Sequence, residues 1–174
     1  AGAFEGAFAG ALLAVLAAVL PATLAGARAA PAARRAAFLA SAFFGAALAG
    51  AVAIVTDGLA PIGTAAVPIP VSALASPDVV KVVRGDDGRA LYFSRAPVPY
   101  VRDPADAGGQ QALARQHVGV YAYTRAALQA WVGWAPHPLE LVERLEQLRP
   151  LAHGLAIGVA DVPAAEGGID TEDD

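Results

Sequence analysis

The sequence contains no cysteine, a single lysine (Lys81) and only three histidines, at positions 117, 137 and 153. The absence of cysteine excludes disulfides and thiolate metal sites. The three histidines lack the close spacing that is typical of a zinc site. The formal net charge is −4, and no basic stripe is present that could neutralise phosphates, so we expect no nucleic-acid partner.

Charged residues are also nearly missing from the start of the chain, where 25 of the first 60 residues are alanine. Residues 6–27 and 36–56 carry no charge, and Arg28, Arg34 and Arg35 lie between these two runs. Two uncharged runs around a basic loop are typical of a transmembrane hairpin within residues 6–56, with the loop in the cytoplasm. Two other interpretations stay open, namely translation in a non-native frame of GC-rich DNA and a helical segment buried inside a domain.

The character of the sequence changes at about Thr64, and we therefore divide the chain into an Ala-rich apolar segment, residues 1–63, and a domain, residues 64–174. VVKVVR, GDDG and RALYFS, residues 79–94, predict a β-hairpin with a Gly/Asp turn. The polar stretch at 103–112 predicts a loop, and LAIGVADV (155–162) predicts a strand.

Two helices are predicted in the second half of this domain. TRAALQAWVGW, which begins at Thr124, predicts a short helix, and HPLELVERLEQLRP (137–150) predicts a longer one. His137 precedes Pro138 at the position of a helix cap, and Pro150 is expected to end the helix. The apolar residues of the longer helix form a stripe typical of a packed face: Leu141, Val142, Leu145 and Leu148. Strands that alternate with helices indicate an α/β domain.

The stretch HVGVYAYTR, residues 117–125, alternates like a β-strand. His117, Gly119, Tyr121 and Tyr123 would share one face, since side chains two residues apart in a strand point the same way. This pattern fits a half-exposed strand with aromatic surface residues. It equally fits the floor of a polar ligand site, and the strand by itself leaves both interpretations open.

Four blocks of the second half resemble the 3-deoxy-manno-octulosonate cytidylyltransferases, also called CMP-Kdo synthetases. The blocks follow one another in the order found in that family: DVVKVVRGDDGRALYFSRAPVPYVRD (78–103), HVGVYAYTR (117–125), WAPHPLELVERLEQLRPL (134–151) and GGIDTEDD (167–174). The resemblance covers about residue 64 to the end, which corresponds to the C-terminal half of the family.

The resemblance implies a nucleotide-diphospho-sugar-transferase-like α/β fold, that is, a Rossmann-like three-layer fold. The fold would be incomplete here and would follow an Ala-rich apolar helical N-terminus. The family transfers CMP from CTP to the sugar acid Kdo, which yields CMP-Kdo and pyrophosphate for lipopolysaccharide synthesis. It is cytoplasmic, acts as a homodimer and uses Mg²⁺.

Site residues follow from the same resemblance. Arg95 is implied as the clamp for the sugar-acid carboxylate, a task suited to a guanidinium fork. His117 and Tyr121 match strand residues that face the sugar, with Gly119 leaving room between them. Glu146 and Gln147 match a pair that binds sugar hydroxyls. Asp170 matches a metal carboxylate, which would hold Mg²⁺ through one oxygen.

The family's nucleotide-binding half has no counterpart in this sequence. Its phosphate loop uses a lysine, whereas Lys81 lies in the predicted hairpin, and neither GxxxxGK[ST] nor GxGxxG occurs. Because phosphoryl transfer depends on positioning and charge neutralisation, we expect sugar-acid contacts with absent or very weak catalysis. The catalytic residues therefore remain unassigned. The alternative is a membrane-tethered, non-catalytic protein that keeps this half for binding or dimerisation.

Overall fold

The computed structural model describes residues 31–163, with side-chain surroundings for residues 42–106 and 108–163. Seven helical segments and five strands form this part of the chain. The helical segments are α1 (Pro31–Thr56), α2 (Val71–Leu74), a 3₁₀ turn (Pro104–Asp106), α3 (Ala107–Leu113), α4 (Arg125–Gly133), α5 (Pro138–Glu143) and α6 (Leu148–Ala152). The strands are β1 (Ile62–Pro68), β2 (Lys81–Arg84), β3 (Ala90–Ser94), β4 (Ala114–Tyr123) and β5 (Ile157–Asp161). The predicted α/β class is confirmed.

The five strands form one mixed sheet in the order β3-β2-β4-β1-β5. β1 pairs with β5 in parallel, and the other neighbours are antiparallel. The predicted hairpin is confirmed as β2 and β3, and its turn contains Gly88 with a φ of +76°, a conformation that suits glycine. The strand predicted at 155–162 is confirmed as β5.

A bulge interrupts the pairing of β1 with β4. Thr64 pairs with Tyr121, whereas the next residue of β1, Ala65, pairs with Val118. Gly119 and Val120 are therefore extra residues on β4. The bulge lies in the stretch that the sequence singled out, between His117 and Tyr121.

Helices lie on both faces of the sheet. The last residues of α1 contact one face, where glycines permit a close approach. A Cβ atom added to Gly63 would lie 2.1 Å from the carbonyl oxygen of Ala51, and one added to Gly158 would lie 2.5 Å from a methyl group of Ile54. The other face carries the main core, in which Ile62, Val82, Phe93, Ala127, Trp131 and Leu148 pack together.

The apolar start of the chain is described only in part. Residues 1–30, and with them the first arm of the hypothetical hairpin, lie outside the described residues. Among the helices of residues 31–163, none combines the length and the hydropathy that a membrane span requires. Residues 45–163 belong to one compact unit, so α1 from Gly45 onward packs with the sheet. The boundary between residues 63 and 64 stays a prediction, and it falls inside this unit.

The prediction of a loop at 103–112 was wrong, because a 3₁₀ turn and α3 occupy this stretch. The Asp103 carboxylate accepts a hydrogen bond from the N–H of Ala105 at 2.9 Å and so begins the first turn. Side-chain amides then attach the helix to distant backbone: Gln110 donates to the carbonyl of Pro99 at 2.7 Å, and Gln111 donates to that of Ile69 at 3.2 Å. These tertiary bonds could not be read from local composition.

The single helix predicted at 137–150 is in fact two short helices. α5 ends at Glu143 and is followed by Arg144, whose φ of 55° is left-handed, and Pro150 lies inside α6 instead of ending a helix. Leu145 and Leu148 are buried as predicted, whereas Leu141 and Val142 are 51% and 83% exposed. The cap prediction is confirmed, since His137 Nδ1 accepts from the N–H of Leu139 at 3.2 Å.

Candidate functional site

The aromatic face predicted for HVGVYAY is present on β4. The ring centroids of His117 and Tyr121 lie 5.4 Å apart, and those of Tyr121 and Tyr123 lie 5.8 Å apart in a stacked arrangement. The three rings therefore form one row on one face of the strand. The role predicted for Gly119 was wrong, because a Cβ atom at this position would meet no atom within 4 Å. The bulge, not a missing side chain, sets the spacing of His117 and Tyr121.

Two further aromatic residues enclose this row. The ring of Phe93, on β3, meets that of His117 edge to face at 5.0 Å. The ring of Trp131, on α4, meets that of Tyr123 at 5.4 Å and that of Tyr121 at 6.3 Å. The apolar pattern of α4 predicts Trp131 on the packed side of that helix, but neither Trp131 nor Phe93 was predicted at the site. Only the pairing of the strands brings them there.

His117 is held by a hydrogen bond to a residue of the neighbouring strand. Its Nε2 lies 3.0 Å from the hydroxyl of Thr64, which is fully buried on β1. Burial lowers the pKa of His117 to about 4, because a charged imidazole would lose its hydration there. The side chain is therefore neutral at pH 7. Thr64 was missed by sequence analysis, since a threonine in an apolar strand gives no distinctive signal.

Tyr121 carries a buried hydroxyl group with no hydrogen-bond partner among the described residues. Burial raises the pKa of Tyr121, and the nearby Tyr123 and Glu146 raise it further. Burial, assisted by Glu146, also raises the pKa of Tyr123 to about 12. Both phenols are thus protonated at neutral pH. Because an unpaired buried hydroxyl costs free energy, the Tyr121 hydroxyl marks a position where a water molecule or a ligand would be stabilised.

Glu146 and Gln147 lie in the turn that connects α5 to α6. Glu146 is exposed and lies near enough to Tyr121 and Tyr123 to raise the pKa of both phenols. Together with Glu140, Leu141 and Arg144, it lines an open groove of about 270 Å³. Gln147 is only 3% exposed, so the two members of the predicted pair have different surroundings. The broken helix produces this difference, since the chain changes direction at Arg144.

Arg95 follows β3 and is fixed by backbone acceptors on two sides. Its Nε donates to the carbonyl of Glu143 at 2.9 Å, and its Nη1 donates to that of Pro77 at 2.8 Å. The Glu143 carboxylate in turn accepts from the N–H of Arg95 at 2.9 Å and from the hydroxyl of Ser94 at 2.7 Å. The guanidinium group is therefore held by α5 and by the loop before β2. This orientation uses part of its donor set and leaves the rest of the fork for an anion.

Lys81 completes the support of Arg95 from inside the protein. Its side chain is fully buried, and its ammonium group donates to the carbonyls of Ser76, Val79 and Arg95. Desolvation lowers the pKa of Lys81, and Glu143 opposes this effect. The three donors of the ammonium group are thus all used by the backbone. An isolated lysine in the apolar stretch VVKVV is a sequence signal that could have identified this role.

The structure brings four of the predicted site residues into one region. His117 and Tyr121 are in contact, Gln147 follows Glu146 directly, and Glu146 influences Tyr121 electrostatically. Arg95 connects to the same region indirectly, through Phe93 on the preceding strand and through Glu143 on α5.

The predicted metal ligand, Asp170, lies outside the described residues. Among residues 31–163, no group of three histidine, aspartate or glutamate side chains is placed to hold a metal ion. The described residues therefore do not by themselves form a magnesium site, and Mg²⁺ stays a prediction.

Comparison with known proteins assigns the family. The model of the family described as cytidylyltransferase matches residues 60–157, which is more than half of the chain. The chain belongs to the cytidylyltransferase family. The matched residues include β1 to β4 and the aromatic row, so the family assignment and the site rest on the same part of the molecule.

Individual relatives confirm the resemblance to 3-deoxy-manno-octulosonate cytidylyltransferases that was stated from the sequence. The chain is 73% identical over 128 residues to a 3-deoxy-manno-octulosonate cytidylyltransferase of Gemmatimonas aurantiaca, which covers 74% of this chain and 50% of that protein. It is 50% identical over 111 residues to the protein of the same name from Acidobacterium capsulatum, which covers 64% of this chain and 44% of that protein. The chain thus spans about half the length of these relatives.

A solved structure agrees with this assignment. The fold resembles that of CMP:2-keto-3-deoxy-manno-octonic acid synthetase in complex with CTP, with a TM-score of 0.60 and 36% identity. The similarity covers 71% of this chain and 49% of that protein. The predicted nucleotidyltransferase-like fold is therefore confirmed. The chain corresponds to about half of that solved structure.

Proposed function

We propose that this chain carries the sugar-acid site of a CMP-Kdo synthetase, an enzyme that transfers CMP from CTP to 3-deoxy-manno-octulosonate. The observation that carries the proposal is the pairing of a neutral His117 with Tyr121, whose buried hydroxyl has no partner among the described residues. Uncharged donors and acceptors of fixed geometry suit a polyhydroxylated ligand. The 73% identity to a protein of that name supports the same substrate class.

The charged and amide side chains would each bind a different functional group of the ligand. We assign Arg95 to the carboxylate, because its backbone bonds fix the direction of the guanidinium group and a fork recognises a carboxylate geometrically. We assign Glu146 and Gln147 to sugar hydroxyls, since the carboxylate accepts and the amide both donates and accepts. The Tyr121 hydroxyl group, which has no partner among the described residues, would form a hydrogen bond to the bound ligand.

CMP transfer requires parts that this chain does not supply from its described residues. The only lysine of the sequence is committed to three backbone carbonyls, so it cannot reach a triphosphate. We propose that nucleotide binding belongs to the remaining length of a complete enzyme. We further propose that Mg²⁺ is its cofactor, with Asp170 as one ligand, and that the enzyme is a cytoplasmic homodimer. When bound, magnesium supplies charge neutralisation at the phosphates.

The proposal is tested by titrating the chain with 3-deoxy-manno-octulosonate in a calorimeter. We expect saturable binding that is lost in Arg95→Ala, because the carboxylate would then have no guanidinium partner. Arg125→Ala is the matched control, since Arg125 is exposed on α4 and should leave the affinity unchanged. Circular dichroism of each variant establishes that it is folded. Unchanged affinity in a folded Arg95→Ala variant would contradict the clamp assignment.

A second assay separates binding from catalysis. Pyrophosphate release is measured with CTP, Mg²⁺ and the sugar acid, first for the 174-residue chain and then for a full-length relative that carries the same site. We expect release from the relative and very little from the chain. Efficient release by the chain itself would show that nucleotide binding needs no further sequence.

A further inference from the structure

The Thr64 hydroxyl has three polar neighbours and only one proton to donate. Its Oγ1 lies 2.7 Å from the carbonyl oxygen of Val120, 3.3 Å from that of Val118 and 3.0 Å from Nε2 of His117. Carbonyl oxygens accept hydrogen bonds and never donate them. The shortest of the three contacts would be repulsive without a hydrogen atom between the oxygens. The hydroxyl proton therefore points to Val120.

The direction of the Thr64 hydroxyl proton determines which nitrogen of the His117 ring carries hydrogen. Because the hydroxyl proton is used, Thr64 can only accept from His117, and so Nε2 must carry the hydrogen atom. A neutral imidazole has one protonated nitrogen, which leaves Nδ1 as an acceptor. The ring is neutral because burial keeps its pKa near 4, far below the pH of any cell interior.

The β4 bulge creates this arrangement. In a regular antiparallel pair, Thr64 would face one residue of β4 at each step. Here the pairing of β1 moves from Val118 to Tyr121 in a single step, and the carbonyls of both Val118 and Val120 come within hydrogen-bonding distance of one hydroxyl. The same step sets Tyr121 beside His117, with 5.4 Å between ring centroids.

We propose that Thr64 is a positioning residue that fixes His117 in the Nε2–H tautomer and so presents Nδ1 as an acceptor for a hydroxyl group of the sugar acid. The proposal rests on the proposed function for its ligand, and on the hydrogen-bond geometry and the neutral state of the buried ring for the tautomer. Its consequence is a rule of specificity. The ligand must donate a hydrogen bond to His117, so a methyl ether or a keto group in place of that hydroxyl would be rejected.

The tautomer is tested without any ligand, by nitrogen-15 NMR of the whole chain labelled at histidine. His117→Gln identifies the signals of His117 among the three histidines. We expect a protonated Nε2, with slow exchange of its proton, and an unprotonated Nδ1. A protonated Nδ1 in the parent chain would overturn the proposal, and this measurement does not depend on whether any variant of Thr64 folds.

Two substitutions of Thr64 test the cause. Thr64→Val keeps the shape of the side chain but removes the acceptor, and we expect the Nε2 proton to exchange rapidly with water. Thr64→Ser keeps the hydroxyl group and should retain the slow exchange of the parent chain. Slow exchange in the valine variant, or rapid exchange in the serine variant, would show that Thr64 does not hold the tautomer.

Binding of 3-deoxy-manno-octulosonate tests the ligand side. We expect Thr64→Val to weaken binding by about tenfold, as for one misplaced hydrogen bond, and Thr64→Ser to bind like the parent chain. Equal affinity of the valine and serine variants would overturn the specificity rule. If the parent chain does not bind the sugar acid, the proposed function and that rule both fail, and the NMR result still decides the assignment of the tautomer.

Discussion

Lys81 and Arg95 are linked by a hydrogen bond from the buried ammonium group of the lysine to the backbone carbonyl of the arginine. The same ammonium group binds Ser76 and Val79, which flank the Pro77 carbonyl that accepts from the Arg95 guanidinium group. A single buried charge thus organises both the backbone of Arg95 and the loop that orients its side chain. The group that holds Arg95, the candidate carboxylate clamp, is therefore a buried side chain.

We expect Lys81→Met to lower the free energy of unfolding by about 2–3 kcal/mol, because three partly buried carbonyls would lose their donor. Arg89→Met, at an exposed position of the hairpin turn, is the control and should have little effect. Urea denaturation followed by circular dichroism measures both. A Lys81→Met variant as stable as the parent chain would show that the carbonyls find other donors.

Tyr121→Phe separates a binding role from a structural one. The phenol oxygen is buried without a partner among the described residues, so its removal should leave stability unchanged or raise it by about 1 kcal/mol. Affinity for the sugar acid should nevertheless fall about tenfold. Tyr100→Phe, at a residue that is 86% exposed, serves as the control in both measurements. A loss of stability with unchanged affinity would assign the hydroxyl group to the fold.

Gly63→Ala tests the close contact between α1 and the sheet. The added methyl group would lie 2.1 Å from the carbonyl oxygen of Ala51, so we expect a loss of about 2–3 kcal/mol as the helix is displaced. Gly119→Ala is the matched control in the neighbouring strand, since its methyl group would meet nothing within 4 Å. Thermal unfolding compares the two variants. Equal melting temperatures would contradict the packing of residues 45–56 on the sheet.

His117 should make the stability of the chain depend on pH. Its pKa is about 4 in the folded state against a usual value of 6.5, so the unfolded state binds more protons between these values. The stability that neutral His117 contributes is therefore fully present above pH 6.5. The free energy of unfolding falls by up to about 3 kcal/mol as the pH decreases to 4. Urea denaturation at pH 7 and pH 4.5 measures the loss.

The control for this prediction is His117→Asn, which cannot titrate in the same range. The difference in stability between pH 7 and pH 4.5 should be smaller in the variant than in the parent chain. An identical dependence in the two proteins would assign it to other groups.

Much of the fold followed from local signals. Turn residues, alternation and capping act over a few neighbouring residues, and the elements that depend on them were predicted. These are the hairpin with its Gly88 turn, β4 with its aromatic face, α4, β5 and the His137 cap. The predictions that failed depended on distant contacts. α3 is held by bonds to Pro99 and Ile69, and the helix from Pro138 is broken where Glu143 turns toward Ser94 and Arg95.

For the candidate site, sequence alone selected Arg95, His117, Tyr121, Glu146 and Gln147 through motifs shared with a family, and comparison then confirmed the family. It could not supply Thr64 or Phe93, whose roles arise from strand pairing and burial. The sequence by itself determines residue types and local secondary structure, because local structure depends on near neighbours. Other features exist only after distant segments have packed and excluded water. They are the register that joins β1 to β4, the neutral state of His117 and the buried Tyr121 hydroxyl, which has no partner among the described residues.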